Sequence, residues 1–465
     1  MLRVLLVVGL LVASAGACDG SSAGGRTSSA TARPTGAAGT PTISPGTLAA
    51  RPLADTDWPT YHRTNARDGN ATNLAALSEL SVDWRARLDG AVYGQPLVVG
   101  DRIFAATEHD TVYALDSGTG RVLWSAHVGT PVPRSDLPCG NIDPLGITGT
   151  MVYDPATNRV FALAETTGGK HTLMGVNADS GKVEVRAAAE PPRGTPVAHQ
   201  QRGALTLLGD RVYVPYGGLL GDCGDYIGSV VSVATDGDGE VRGYAVPTTR
   251  EAGIWGTGGA VVDGDRLLYS VGNGESTSDY DGSDSVISLS ADLKRTAFFA
   301  PSTWADDNAR DLDLGSMSPA LVGPFVVVAG KRGVAYVLRH DDLGGIGGEV
   351  ARLTGCQAFG GSAVVGTTVY LPCTDGTRAV SIDAAGTPHT LWHADVSAAG
   401  SPVVGGGAVW AVDYDGGTLY ALNPASGSVR AKVNIGTAPH FASPTLSGSR
   451  AYVGTLDGVV AVGGA

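Results

Sequence analysis

Bulky residues of the kind that fill helical cores are scarce in this sequence. Its 465 residues include only 4 Met and 7 Phe. Lysine supplies just 5 of the 32 basic side chains, an Arg and Ala bias of the kind a GC-rich genome imposes and one that carries no chemistry. Positive charge is also in deficit. With 45 acidic side chains the net charge is −13, which argues against a surface for nucleic-acid phosphates. The leading apolar run, Val4 to Ala13, is too short to span a bilayer. No stretch keeps a sustained 3.6-residue apolar period. No phosphate loop, serine-nucleophile elbow or zinc-protease helix signature occurs. These features argue against a helical bundle, a coiled coil and a membrane-spanning protein. Glycine is what the chain has in excess: 68 residues, about twice the usual share. Many short strands joined by tight turns suit that composition.

The N-terminus reads as an address. Met1-Leu2-Arg3 is a positive start, the apolar run follows, and Ser14-Ala15-Gly16-Ala17 precedes Cys18. Residues 1–18 thus form a secretory signal. The small-small-Cys ending resembles a bacterial lipobox, although Ala15 stands where Leu is usual. That resemblance implies a lipid on Cys18 and anchoring to the outer face of the cell membrane. Ordinary cleavage near Ala17, giving a secreted chain, is the other reading. Residues 19–52 are almost all Ser, Thr, Ala, Gly and Pro and read as a disordered tether. Residues 53–465 are the folded domain. Its four cysteines suggest two disulfides of an exported protein. Cys356 and Cys373 bracket one hairpin, which leaves Cys139 with Cys223; four free buried thiols are the alternative. The spacings do not match a zinc site.

An internal repeat decides the fold. The first copy runs Gly94-Gln95-Pro96-Leu97-Val98-Val99-Gly100-Asp101-Arg102-Ile103-Phe104 and continues to Val112-Tyr113-Ala114-Leu115-Asp116. Others begin near Gly149, Gly203, Gly258, Ser318, Gly361, Ser401 and Ser443. Spacings of about 40 to 60 residues match a four-stranded propeller blade. The last copy ends one strand short, and Leu80-Ser81-Val82-Asp83-Trp84 is a spare strand before the first. The expectation is a single all-β, eight-bladed propeller closed by that N-terminal strand.

Copy one ends Ala114-Leu115-Asp116-Ser117-Gly118-Thr119-Gly120-Arg121-Val122-Leu123-Trp124. This resembles the tryptophan-docking pattern of pyrroloquinoline-quinone (PQQ) repeat propellers, and Trp58-Pro59-Thr60-Tyr61 also looks like that family. The resemblance spans roughly residues 55 to 465. It implies a quinoprotein-type propeller, and the family includes both dehydrogenases and cofactor-free scaffold lipoproteins. Gly253-Ile254-Trp255-Gly256 resembles the stretch whose Trp floors the quinone. Asn273, after Leu268-Tyr269-Ser270-Val271-Gly272, takes the place of a calcium ligand. Asp311-Leu312-Asp313-Leu314-Gly315-Ser316 resembles the catalytic segment, with Asp313 as catalytic base and metal neighbour. Lys331 takes the place of a quinone-contacting Lys. Two family features are absent. The calcium-ligating Glu would fall near Cys223, between Asp222 and Asp225, and the adjacent Cys-Cys pair is missing.

The residues also have plainer readings: blade packing for Trp255, a turn for Asn273, loop bracing for Asp313 and a solvated hairpin tip for Lys331. Propeller topology puts all four on one face, so they can meet near the channel. His199-Gln200-Gln201-Arg202, Glu108, His109 and Glu165 are expected to make that face polar. The acidic loop 275–284 lacks EF-hand spacing and reads as solvated. The first functional expectation is an exported, monomeric propeller that binds a small molecule or an envelope protein on its channel face. The alternative is a dehydrogenase of an alcohol or sugar that depends on PQQ and calcium. A structural envelope protein with an idle channel face is the third reading.

Overall fold

The computed structural model describes residues 51–464 except Asn73, Ser78 and residues 397–399. Residues 1–50, with the signal segment, Cys18 and most of the tether, lie outside the described residues. Eight antiparallel four-stranded ladders are present, one for each sequence copy. Blade 1 is Leu97–Val99, Arg102–Thr107, Thr111–Asp116 and Val122–His127. Blades 2 to 8 open on inner strands Val152–Asp154, Thr206–Leu208, Val261–Asp263, Ala320–Val322, Ala363–Val365, Val403–Gly405 and Thr445–Ser447. The outermost strand of blade 8 is the N-terminal Leu80–Arg87, antiparallel to Gly458–Gly464. The ring therefore closes as the sequence predicts. Among the described residues the one α-helix is Trp304–Ala309, in the connection from blade 4 to blade 5.

Each blade is sandwiched between two others, so its strands bury both faces. That is why the inner strands read as continuous apolar runs such as Leu97-Val98-Val99, all buried. Polar alternation appears only in the outer strands, as in Leu80–Arg87.

The repeat residues are the ones that join the blades. Trp84, Trp124 and Trp392 each donate Nε1–H to a backbone carbonyl of the following blade: Ser117 at 3.3 Å, Ala178 at 3.1 Å and Pro424 at 2.7 Å. Each ring lies on a turn glycine of that blade, Gly120, Gly181 and Gly427. At Gly181 (φ +72°) a Cβ would stand 2.7 Å from the Trp124 ring, so the seat demands glycine on both counts. The Ser or Thr that opens an inner strand also accepts a hydrogen bond from an adjoining copy. Gly258 N–H donates to Ser318 Oγ at 2.9 Å, and Gly361 N–H to Ser401 Oγ at 2.9 Å.

Residues 57–71 cross the channel on the side of the first hairpins, opposite the loops discussed below. Trp58 N–H donates to Val98 O of blade 1 (2.7 Å), and Pro59 O accepts from Tyr153 of blade 2 (2.8 Å). Asn65 O accepts from Val262 of blade 4, Asp68 O from Val364 of blade 6 and Gly69 O from Val404 of blade 7, each at 2.8 Å. His62 reaches in, fully buried, with Nδ1 3.0 Å from Ser362 O and Nε2 2.9 Å from Ser443 Oγ. This side of the channel is plugged by the chain itself. Both disulfides form as expected, Cys139–Cys223 and Cys356–Cys373, with Cα separations of 5.8 and 5.0 Å.

Trp124→Ala removes a ring from the seam between blades 1 and 2. It is expected to lower unfolding free energy by about 2–4 kcal/mol in a urea titration. A change under about 0.5 kcal/mol, the range of neutral surface substitutions, contradicts the docking role.

Candidate functional site

The loops that link one blade to the next, and those between second and third strands, share one face. Two consecutive blades deliver the four predicted residues there. Trp255 lies in the loop entering blade 4, Asn273 follows the second strand of blade 4, Arg266–Val271, and Asp313 lies in the loop entering blade 5. Lys331 sits between the second and third strands of blade 5, Phe325–Ala329 and Val334–Arg339. All four line a single cavity of about 700 Å³.

Asp313 is the hub. It is 3 % exposed. Its Oδ1 accepts the Asn273 backbone N–H at 2.5 Å, and its Oδ2 lies 2.7 Å from Lys331 Nζ. Lys331 Nζ also donates to Asp311 Oδ1 at 2.6 Å and stands 5.8 Å from the Trp255 ring centroid. Burial pushes the Asp313 carboxyl up from its ordinary range, while Lys331 beside it works the other way. Burial opposes the Lys331 charge, but Asp313 and Asp311 together hold its pKa above the ordinary value. Gly272 makes this convergence possible: a Cβ there would stand 2.3 Å from Asp313 Oδ1 and 3.2 Å from Trp255 Nε1.

Glu251 is a carboxylate the sequence reading missed. Its Oε2 lies 3.4 Å from Asn273 Nδ2, and its Oε1 pairs with Arg250 at 2.6 Å. Glu251 and Ala252 both have positive φ, +67° and +55°, which turns the chain back toward Asn273. No motif announces this; the signal is conformational and appears only once the loop is folded. At the place of the absent family Glu, Cys223 is held in its disulfide. Asp222 lines the cavity with Oδ1 accepting from Tyr226 OH at 2.5 Å, and Asp225 does not line it. Asp311, visible in the quoted motif but given no role, shares the cavity and the Lys331 ion pair.

The cavity also holds an aromatic cluster. Phe359 and Phe441 stack at 5.5 Å, and the Trp255 ring lies 6.4 and 6.2 Å from them. Arg202 and Gln200 line the cavity as expected. Glu108, Glu165, His199 and Gln201 instead lie buried beneath the surface, and His109 is exposed. In the acidic loop Asp279 faces solvent. Asp281 is drawn inward by Thr248 Oγ1 at 2.8 Å and Ser283 Oγ at 2.5 Å, and Asp284 is fully buried.

The residues suit a cation shared with a bound ligand. Asn273, Glu251 and Asp313 offer oxygen donors, whereas calcium takes six to eight. Among the described residues no group of three His, Cys, Asp or Glu is arranged to hold a metal unaided. The remaining oxygens must come from the ligand and water.

An eight-bladed ring with one loop-built cavity, walled by carboxylates, a lysine and aromatic rings, defines a quinoprotein-type propeller. The chain belongs to the PQQ-type repeat family described as outer membrane protein assembly factor BamB, which matches residues 69–214 and 375–462. It is 26 % identical over 471 aligned positions to polyvinylalcohol dehydrogenase of Sphingopyxis sp. (strain 113P3), covering 83 % of this chain and 67 % of that protein. Among solved structures it is similar to quinohemoprotein alcohol dehydrogenase from Comamonas testosteroni. That match has a TM-score of 0.66 at 16 % identity, over 88 % of this chain and 80 % of the other. It is also similar to BamB from Moraxella catarrhalis, at TM-score 0.56 and 17 % identity over 82 % and 97 %. At these identities the structures show the fold alone. The two disulfides agree with an extracytoplasmic location.

Beside the cavity, burial pushes Glu108 and Asp110 up to about 8. Burial opposes the charge on His171, yet Glu165 and Glu190 hold it up at about 9. Unfolded, these groups titrate near 4 and 6.5. The folded chain thus keeps protons that the unfolded chain has lost. The stability each contributes is full below its unfolded pKa and is lost as pH rises through the folded one. Between about pH 6.5 and 8 all three slope downward, by up to about 1.4 kcal/mol per unit each. Melting temperature is therefore expected to fall across that window, and to fall less steeply in Glu108→Gln. Parallel profiles for the two proteins contradict the assignment.

Proposed function

We propose that this chain is an exported dehydrogenase that oxidises an alcohol with the help of PQQ and calcium. The observation that supports it most is the meeting of Trp255, Asn273, Asp313 and Lys331 in one cavity, with Glu251 as a further carboxylate against Asn273. The similarity to a polyvinylalcohol dehydrogenase leans the substrate toward alcohols rather than sugars. A lipid on Cys18 would hold the monomer at the outer face of the cell membrane, with residues 19–52 as tether.

When bound, the quinone supplies a two-electron acceptor. The chain's residues bind, orient and move the proton. Trp255 offers a ring face to a planar ligand. Asn273 donates through Nδ2 to Glu251, which leaves Oδ1 to a cation. Asp313 takes the hydroxyl proton on Oδ2, the oxygen now held by Lys331. Lys331 favours the ionised form of that carboxyl and can turn its third N–H donor to a ligand oxygen. The cavity walls keep bulk water from the carboxylate, which strengthens each of these interactions.

One observation favours a non-catalytic propeller that binds a ligand or an envelope protein. Lys331 ties up both Asp313 and Asp311, which leaves neither as a free base. Turnover separates the readings. With PQQ, calcium and an artificial electron acceptor, the dehydrogenase reading expects oxidation of primary, secondary or polymeric alcohols. It expects kcat to fall about 10²- to 10⁴-fold in Asp313→Asn, with PQQ still bound. Saturable PQQ binding without turnover of any alcohol leaves the binding propeller.

A further inference from the structure

Arg202 is the second cation of the cavity, and no acid neutralises it. It lies in the loop that leads into blade 3. Its guanidinium sits 5.3 Å from the Tyr93 ring centroid and 5.7 Å from that of Phe441. Among the described residues it donates one hydrogen bond, from Nη2 to His440 O at 2.8 Å, and makes no ion pair within 4.0 Å. Glu108 is the acid whose charge bears on it, and burial holds that carboxyl protonated at neutral pH. A half-buried guanidinium that lines the cavity with no ion-pair partner is suited to an anionic ligand.

The arrangement around it is directional. Lys331 stands over Trp255 at 5.8 Å, Trp255 meets Phe441 at 6.2 Å, and Phe441 meets Arg202 at 5.7 Å. Tyr93, on the other side of the guanidinium, comes from the loop entering blade 1, four blades round from Lys331. An aromatic surface thus runs between two cations carried by loops two blades apart, with Tyr93 beyond the guanidinium. Phe441 is held in the left-handed region, φ +68°, where a bulky side chain stays only if its surroundings fix it. Such a surface matches a flat aromatic polyanion. Guanidinium is the group suited to a carboxylate there, through two parallel N–H donors.

We propose that Arg202 receives a carboxylate of the quinone cofactor, so that Arg202 and Lys331 together fix which way round the flat ligand lies. This rests on the dehydrogenase reading. The test compares PQQ with its trimethyl ester, which keeps the ring system and carries no carboxylate charge. Binding is followed by quenching of Trp fluorescence with calcium present, and needs no turnover. Wild-type protein is expected to prefer the acid. In Arg202→Gln the acid should bind about 10- to 100-fold more weakly while the ester is unchanged, and Arg202→Lys should recover part of the loss. Equal affinities of acid and ester in the wild type, a comparison that needs no variant to fold, overturn the proposal. So does an Arg202→Gln protein that keeps the wild-type preference. Wild-type protein that binds neither compound overturns the dehydrogenase reading and this proposal together.

Discussion

Everything on the loop face depends on how the ring is closed. Leu80–Arg87 is the fourth strand of the last blade, and its Trp84 lies on Gly120 of the first. The same tryptophan-on-glycine contact recurs at Trp124 and Trp392. Because a Cβ on the turn glycine would strike the ring, the contact has one geometry and fixes the angle between blades. The inner strands have no polar face to vary, so the blade-to-blade distance is set by close packing. Loops from consecutive blades then arrive at fixed separations. That is how Asn273, on a hairpin of blade 4, brings its backbone N–H within 2.5 Å of Asp313 Oδ1 in the loop entering blade 5.

The cavity turns this rigidity into electrostatics. Asp313 is desolvated and raised by burial, and Lys331 draws it back toward the charged form. From Lys331 an aromatic run through Trp255 and Phe441 leads to Arg202. On the far side of the ring the N-terminal segment fills the channel with Tyr61 and His62, both buried. The loop face is therefore the open side of the channel, where charge and aromatic surface are concentrated. Positive φ at Asp222, Asp311 and Phe441 places unusual backbone in the lining of this one cavity. Such backbone persists where surrounding structure holds it and clusters at functional sites.

The fold was legible because a propeller writes itself repeatedly. Eight Gly- or Ser-headed copies, a spare strand before the first and a docking motif at Trp124 specify blade number and closure. Both disulfide pairs were readable from hairpin spacing and elimination. That Trp255, Asn273, Asp313 and Lys331 gather in one place was legible through resemblance and loop topology together. What was not legible depends on loop conformation. Glu251 reaches Asn273 only because two residues take positive φ. Arg202 was read as one member of a polar loop, while its neighbours His199 and Gln201 turn inward and leave it in the cavity with Gln200. The helix Trp304–Ala309 is too short to leave a periodic trace.

The central claim is that the loop face is a built site for a quinone and a cation held jointly. The most direct measurement is a calorimetric titration of PQQ into the tether-free domain, with calcium present and with calcium chelated, alongside thermal melts. The account predicts saturable binding that depends on the cation. It also predicts a raised melting temperature, since ligand at 100 times its Kd adds about 2.7 kcal/mol to stability. No binding heat and no shift in melting at saturating PQQ, with calcium or without, contradicts it.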